Sequence, residues 1–522
     1  MTETVKPRNG DLTGGQLLAR NVVWNLSGQV LPLLAGIALI PYIIRGLGPD
    51  RFGMLGIIWV VFGYFSLMDL GLGRATTKFL AEWLAKGELA RISEMVWSSM
   101  ILQVLLGVVG AAVLAALTPL LIERVLSTPA DLVGEGRTAF YILAAALPCV
   151  LVSNGLRAVL EGCQRFDIAN LLRIPSSILA FVIPGVAIAA GLRLPGVVLW
   201  MGIFRLAFTL AYGFQCLRVL PFLKGLPAIR PRAVLPLVSF GGWVTASNVV
   251  NPILLSMDRF LVGSLISVAM VGYYTAPYEA VTKLWLIPMS LMTTAYPASS
   301  ALGTDRMRYQ QSLYSRTLKY IFCSLAPISL ILVIFARPII GVWLGPGFVD
   351  KSAVPLQLLA VGVFINCFAH VPYCFLQALG RPDSAAKLFI CELAPYGLLV
   401  WWMIRQFGIA GAAAAWCIRV TIEVVLLLWI ARRIFSLSAF HLADTRMWAA
   451  LTALGTTGIA MYVTGLFFRG AMGLEAVVSA VWLAGFAVAV WKWVLDDADR
   501  ESALSLLKPL RGTLGKRLAE AD

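Results

Sequence analysis

The sequence predicts an all-α integral membrane protein: about 14 transmembrane helices, in two pseudo-symmetric six-helix lobes followed by two more spans. Three observations carry that prediction. Of 522 residues, 59% are hydrophobic and only 13% are charged, with a mean hydropathy of +0.84; soluble chains average about a quarter charged. Apolar segments of about 20 residues recur along the whole length, and each can cross about 30 Å of hydrocarbon as a helix. The third observation is an internal repeat that relates the two halves.

Taken in order, the spans are expected at about 22–44, 53–74, 95–117, 138–160, 172–192, 196–218, 236–262, 276–300, 316–336, 353–377, 385–405, 410–431, 447–468 and 473–494. The connections run to about 20 residues at most, too short for a soluble catalytic domain. The polar first 20 residues, and Asn25, Gln29 and Pro32 inside the first span, argue against a cleavable signal peptide. The resulting division is a cytoplasmic segment 1–21, an N-lobe 22–218, a linker 219–235, a C-lobe 236–432, two further spans within 433–494 and a tail 495–522.

The net charge of +15 is read as basic loops on one face of a polytopic protein, with no nucleic-acid partner. Of 42 Lys and Arg, 29 fall on the side of the termini and every second loop, 9 on the opposite side and 4 within spans. That asymmetry places both termini in the cytoplasm and favours an even number of crossings. The eight cysteines are scattered without metal-ligand spacing, so neither a disulfide framework nor a metal site nor a cofactor is expected.

The repeat aligns Leu160-Glu-Gly-Cys-Gln-Arg-Phe-Asp167 with Leu376-Gln-Ala-Leu-Gly-Arg-Pro-Asp383, at an offset of 216. Gly196 and Trp200 match Gly411 and Trp416, and Pro32 and Gly53 match Pro252 and Gly272. Six spans are therefore repeated in parallel orientation, as in transporters that bind substrate between their halves.

Several motifs occur in a specific order: Arg45-Gly-Leu-Gly-Pro-Asp-Arg-Phe-Gly53, Asp69-Leu-Gly-Leu-Gly-Arg74, Thr77-Lys-Phe-Leu-Ala-Glu82, Gly162-Cys-Gln-Arg-Phe-Asp167, Phe240-Gly-Gly-Trp243, Asp258-Arg-Phe-Leu-Val-Gly263 and Tyr274-Thr-Ala-Pro-Tyr-Glu279. With this series, from about residue 20 to 435, the chain resembles the Wzx-type polysaccharide-biosynthesis branch of the MOP superfamily. That superfamily also holds multidrug (MATE) exporters and lipid II flippases. The resemblance implies a MATE-like fold and a flippase in the bacterial inner membrane. It would move undecaprenyl-diphosphate-linked oligosaccharide to the periplasmic leaflet by alternating access, beside polysaccharide polymerase machinery. A proton- or sodium-coupled drug or metabolite antiporter is the alternative on the same fold.

A charge at mid-membrane costs about 2.5–3.5 kcal/mol and usually faces a bundle interior or a water-filled cavity. A lipid-linked diphosphate needs cations on such an inner wall, and Arg205, Arg259, Lys283 and Arg419 are the candidates. The repeat makes spans six and twelve equivalent, so Arg205 and Arg419 are expected to face each other. The competing reading is internal pairing: Arg419 with Glu423 and Lys283 with Glu279, each four residues apart, and Arg259 beside Asp258. Asp69, Asp258, Glu279, Glu392 and Glu423 are candidates for coupling to a proton or sodium ion, since burial and a nearby cation pull a carboxyl in opposite directions. Asn25, Gln29, Asn248 and Asn251 are candidates for sugar contacts, with helix–helix hydrogen bonding as the alternative. His370, four residues after Asn366, is read first as a hydrogen-bonded interior residue. Pro32, Pro41, Pro252, Pro277 and Pro288 permit bends in spans one, seven and eight. No enzyme is expected: the chain has two histidines, no nucleophile–base cluster, no Gly-rich phosphate loop and no long outer loop.

Overall fold

The computed structural model describes residues 15–67, 72–224, 242–292, 307–378, 382–434, 445–468, 472–497 and 499–500. Among them every regular element is helical. The first unit of the chain builds α1 (Gly15–Leu67), α2 (Leu72–Lys86), α3 (Leu89–Leu120), α4 (Val133–Gly162), α5 (Phe166–Ala189), α6 (Leu194–Val219), α7 (Gly242–Leu265) and α8 (Val268–Thr282). There follow α9 (Met307–Ile334), α10 (Ala336–Trp343), α11 (Pro346–Cys367), α12 (His370–Ala378), α13 (Pro382–Ile434), α14 (Thr445–Phe467) and α15 (Met472–Ala489).

Ten segments among the described residues are long and apolar enough to cross a membrane. Two of them hold two crossings each. In α1 the helix breaks at Gly48 (φ 77°, ψ 166°), and in α13 at Gly408 (φ 59°, ψ −139°). A side chain resists such angles, so glycine supplies the break, and Pro49, with its fixed φ and no N–H to leave unpaired, opens the next helix. Gly345 (φ 98°) followed by Pro346 at the start of α11 repeats the device. The pair formed by α7 and by α8 with its continuation over 286–292 brings the total to the fourteen crossings expected from sequence.

Leu72–Lys86 is amphipathic: Leu72, Thr76 and Leu80 are buried while Glu82 and Lys86 are exposed. Residues 68–71, in the expected span two, lie outside the described residues. One local feature departs from the sequence reading: span eight is interrupted by a tight turn of 3-10 helix at Lys283–Trp285 before the helix resumes. It is short, flanked by apolar residues, and does not change the count.

The chain groups into two compact units that interleave along the sequence. The first comprises Met1–Lys283, Gly341–Pro355 and Ala386–Trp416; the second comprises Leu284–Ile340, Leu356–Ala385 and Cys417–Asp522. In the first unit, α3, α4 and α6 pack side by side, and α2 lies against α4. Leu72, Leu80, Ile92, Met95, Leu160, Tyr212 and Cys216 form a continuous core at the end of the bundle where α2 turns into α3. Hydroxyl and amide groups also pack inside it. Thr76 Oγ1 and Ser99 Oγ lie 3.0 Å apart, and Gln103 Nε2 donates to Ser99 Oγ at 3.4 Å. The Thr76–Ser99 contact joins α2 to α3, while Gln103–Ser99 lies within α3; an interhelical polar contact is worth about 0.6 kcal/mol in membrane proteins, so it fixes register more than it stabilises.

At the opposite end, the segment around the Gly48 break, the α3–α4 connection and the α7–α8 turn converge. Glu135 accepts a bidentate pair from Arg51 (2.8 and 3.0 Å) and a further contact from Arg193 at 3.3 Å. Ser127 N donates to Gly263 O at 2.9 Å, and its hydroxyl to Ser264 O at 3.0 Å. In the second unit, Phe322, Ala326, Ala450, Phe486, Val490 and Val494 join α9 to α14 and α15.

Candidate functional site

A cavity of about 360 Å³ opens inside the first unit. Its wall takes Pro32, Trp59 and Phe62 from the two limbs of α1, Ser176, Ser177 and Phe181 from α5, Phe204, Arg205 and Phe208 from α6, and Lys283 from the turn that ends α8. The lining is aromatic with two hydroxyls and two cations, the composition expected of a small-molecule or headgroup pocket.

Arg205 occupies the middle of α6, where the sequence is otherwise apolar for several turns. The helix holds its place through Thr209, whose hydroxyl donates back to Arg205 O at 2.8 Å and across to Cys149 O of α4 at 3.0 Å. The Arg205 guanidinium lies 5.7 Å from the centre of the Phe62 ring. Among the described residues it forms no ion pair with a carboxylate. Among the described residues it therefore brings a positive charge without a carboxylate partner to the cavity wall.

Lys283 stands on the same wall in different company. Its Nζ lies 3.1 Å from Glu279 Oε2, one turn earlier on α8, and 6.0 Å from the Phe181 ring. Glu279 is shared: its Oε1 is 3.6 Å from Arg259 NH1 of α7. Arg259 is almost fully enclosed, lies over the Tyr278 ring at 4.3 Å and donates to Leu255 O at 3.4 Å. Its Nε is buried and finds no acceptor. Asp258, with no exposed surface, accepts the Tyr274 hydroxyl at 2.5 Å and the Arg259 backbone N–H at 2.8 Å. Asp258 thus accepts from a tyrosine and from the Arg259 backbone, and the Arg259 side chain has two carboxylates for counter-charge, Asp258 on α7 and Glu279 on α8.

Arg419 lies in the second unit, where NH1 is 3.1 Å from Glu423 Oε2 and both side chains are over nine-tenths buried. Glu392 is buried on the first limb of α13, within the first unit. Asp69 lies outside the described residues. Asn25 and Gln29 are on α1, and Asn248 and Asn251 on α7, but their side chains are likewise outside what the structure describes. His370 Nδ1 is 3.3 Å from Asn366 O, and its ring lies 6.4 Å from that of Trp285.

The structure thus brings Arg205 and Lys283 to one cavity, and gathers Arg259, Glu279 and Lys283 into a single chain of charges. Two clusters were not legible in the sequence. One is Arg51–Glu135–Arg193. The other joins Lys319 and Tyr320 of α9 to Asp496 and Asp499 beyond α15, with Arg446 of α14 3.3 Å from Asp496. Lys319 Nζ contacts both Asp496 (3.2 Å) and Asp499, and the Tyr320 hydroxyl donates to Asp499 at 2.6 Å. Their members are far apart in the chain, and no local spacing announces them.

Residues 18–302, more than half of the chain, match a family model described as polysaccharide biosynthesis protein. A Shigella flexneri protein named "Putative O-antigen transporter" is 27% identical over 419 residues, covering 80% of this chain and 99% of its own length. "Probable flippase AglR" of Haloferax volcanii is 22% identical over 173 residues, a third of this chain. Among solved structures, the lipid II flippase MurJ in an inward closed conformation superposes with a TM-score of 0.70 at 12% identity, covering 90% of this chain and 99% of that one. An inward-facing MATE family multidrug transporter of the MOP superfamily gives 0.68 at 15% identity, covering 79% and 98%. At these identities the two structures speak for the fold.

Proposed function

We propose that this chain, which belongs to the polysaccharide biosynthesis protein family, is a flippase for undecaprenyl-diphosphate-linked oligosaccharide and carries it outward by alternating access. The observation that carries the reading is Arg205: a guanidinium without an ion-pair partner among the described residues, on the wall of an aromatic cavity inside a membrane bundle. An unpaired buried charge is costly unless an opposite charge visits it. A lipid diphosphate supplies two or three negative charges, and guanidinium oxygen pairing is strong and directional. Lys283, about a third exposed on the same wall, adds a second cation, and Trp59 and Phe181 add aromatic surface for sugars.

In this reading the N-lobe 22–218 and C-lobe 236–432 move against each other, both termini lie in the cytoplasm and the protein sits in a bacterial inner membrane. The Lys and Arg asymmetry supports that orientation. A proton or sodium gradient drives the outward step, and polysaccharide polymerase machinery receives the product.

Reconstitution into liposomes with a fluorescent undecaprenyl-diphosphate-linked oligosaccharide tests the reading. Wild-type protein is expected to expose the label to a membrane-impermeant quencher, and Arg205→Met to abolish that. Wild-type vesicles that export an organic cation, but leave the label in its original leaflet, would replace the flippase with an antiporter.

A further inference from the structure

Glu279 holds two cations at once, and only one of them reaches the cavity. Arg259 is buried, pinned against Tyr278 and Leu255 O, and has no room to turn towards the cavity. Lys283 is different: about a third of its side chain is exposed, its four-carbon stem is flexible, and it lines the cavity beside Arg205. The position of Lys283 in the backbone also matters. It begins the single 3-10 turn that interrupts span eight, and it is the last residue of the first stretch of the first compact unit, with Leu284 beginning the second unit. A mid-helix stretch of 3-10 geometry commonly marks a hinge.

We propose that Lys283 is an occupancy sensor: an anion entering the cavity draws the ammonium away from Glu279, and this exchange of ion pairs releases the turn at Lys283–Trp285 to bend. The inference rests on the flippase reading, since it requires an anionic headgroup at Arg205. It assigns Glu279 the part of a competitor. While the cavity is empty, Glu279 neutralises both cations and keeps span eight in register with α7. When the anion binds, Glu279 keeps Arg259 and Lys283 changes partner, so Arg259 and Lys283 each stay paired throughout. A ligand shifts a conformational equilibrium only through contacts that differ between the two states, and the Lys283 pair supplies such a difference.

The test is a binding cycle on the full chain in nanodiscs, with undecaprenyl diphosphate as the probe. Removing the competitor by Glu279→Gln is expected to tighten binding about three- to fivefold, the scale of one partly exposed ion pair, and Lys283→Met is expected to erase that gain. A static structural pair gives the reverse sign, weaker or equal binding in Glu279→Gln, and overturns the proposal. Since Glu279→Gln also takes from Arg259 one of its counter-charges, the wild type provides a second readout free of that risk. Hydrogen exchange across 279–292 is expected to quicken on adding the probe, and unchanged exchange with a bound probe overturns the sensor. If wild-type protein and Arg205→Met bind the probe equally, the headgroup reading falls and takes the sensor with it. If only the cycle and the exchange fail, the headgroup reading stands and the sensor alone is lost.

Discussion

Gly53 and Gly272, the pair matched across the internal repeat, lie against each other where α1 crosses α8. A methyl group on Gly53 would collide with the Val268 carbonyl, and one on Gly272 would come 2.7 Å from the Pro49 carbonyl oxygen. One turn further, a Cβ on Gly56 would come within a tight 3.0 Å of the Thr275 hydroxyl oxygen. Two helices related by the repeat thus touch backbone to backbone, and the Arg51–Glu135 pair stands one turn from that contact. Small residues let membrane helices approach closely, because van der Waals packing replaces the hydrophobic drive that lipid removes.

Substitution at this crossing has a clear expected outcome. Gly53→Leu forces the helices apart and is expected to cost about 1–3 kcal/mol, read as a lowered Tm of the purified protein, together with loss of transport. Gly485→Ala, where nothing lies within 4 Å of the added methyl, is the control, and its Tm is expected to hold or rise slightly.

Arg205 and Arg419 are expected to respond in opposite ways. With no ion pair to break among the described residues and a costly buried charge removed, Arg205→Met should hold or raise Tm while transport falls at least about tenfold. A large Tm loss with normal transport would make Arg205 a packing residue.

Arg419→Met leaves Glu423 buried without its guanidinium and is expected to destabilise by about 3–5 kcal/mol. The double variant Arg419→Met, Glu423→Met removes both charges and should recover most of that loss, as measured by thermal unfolding in detergent. If the double variant transports normally, the pair is structural; if it is stable and inactive, the pair serves the cycle.

The Asp499 cluster gives a pH signature. Burial pushes the Asp499 carboxyl up, but hydrogen bonds from Lys319 and Tyr320 and from the Asp496 backbone outweigh it and hold the group well below the usual carboxylate range. A carboxyl lowered by folding contributes its full stability above its unfolded pKa, near 4, and loses it as pH falls through the lowered value. The Tm difference between wild type and Asp499→Asn is therefore expected to be constant from pH 7 to 5 and to shrink only below about pH 4. A difference that closes between pH 6 and 5 would contradict this pairing.

How much was legible in the sequence depended on the range of the interaction. Lys283 with Glu279 and Arg419 with Glu423 were readable because four residues make one helical turn. The crossing at Gly53 and Gly272 was half readable: the repeat paired the two glycines, but nothing in the chain said that they touch. Asp258 beside Arg259 was readable as a neighbouring charge, but its hydrogen bond to Tyr274 and the Arg259–Glu279 contact were not, since both join α7 to α8.

By itself, the sequence determined the class of protein, the number of crossings and the repeat, because hydrocarbon thickness and the need to satisfy every backbone group leave apolar helices no other solution. It also named the cations that had to be accounted for, since each carries a cost that something must offset. Which cation had an internal partner and which stood open on a cavity was decided only in three dimensions. Arg205 and Lys283 come from helices separated by most of a lobe, and the aromatic wall between them is assembled from α1, α5 and α6. No period or spacing encodes that meeting, because it depends on how five separate segments pack.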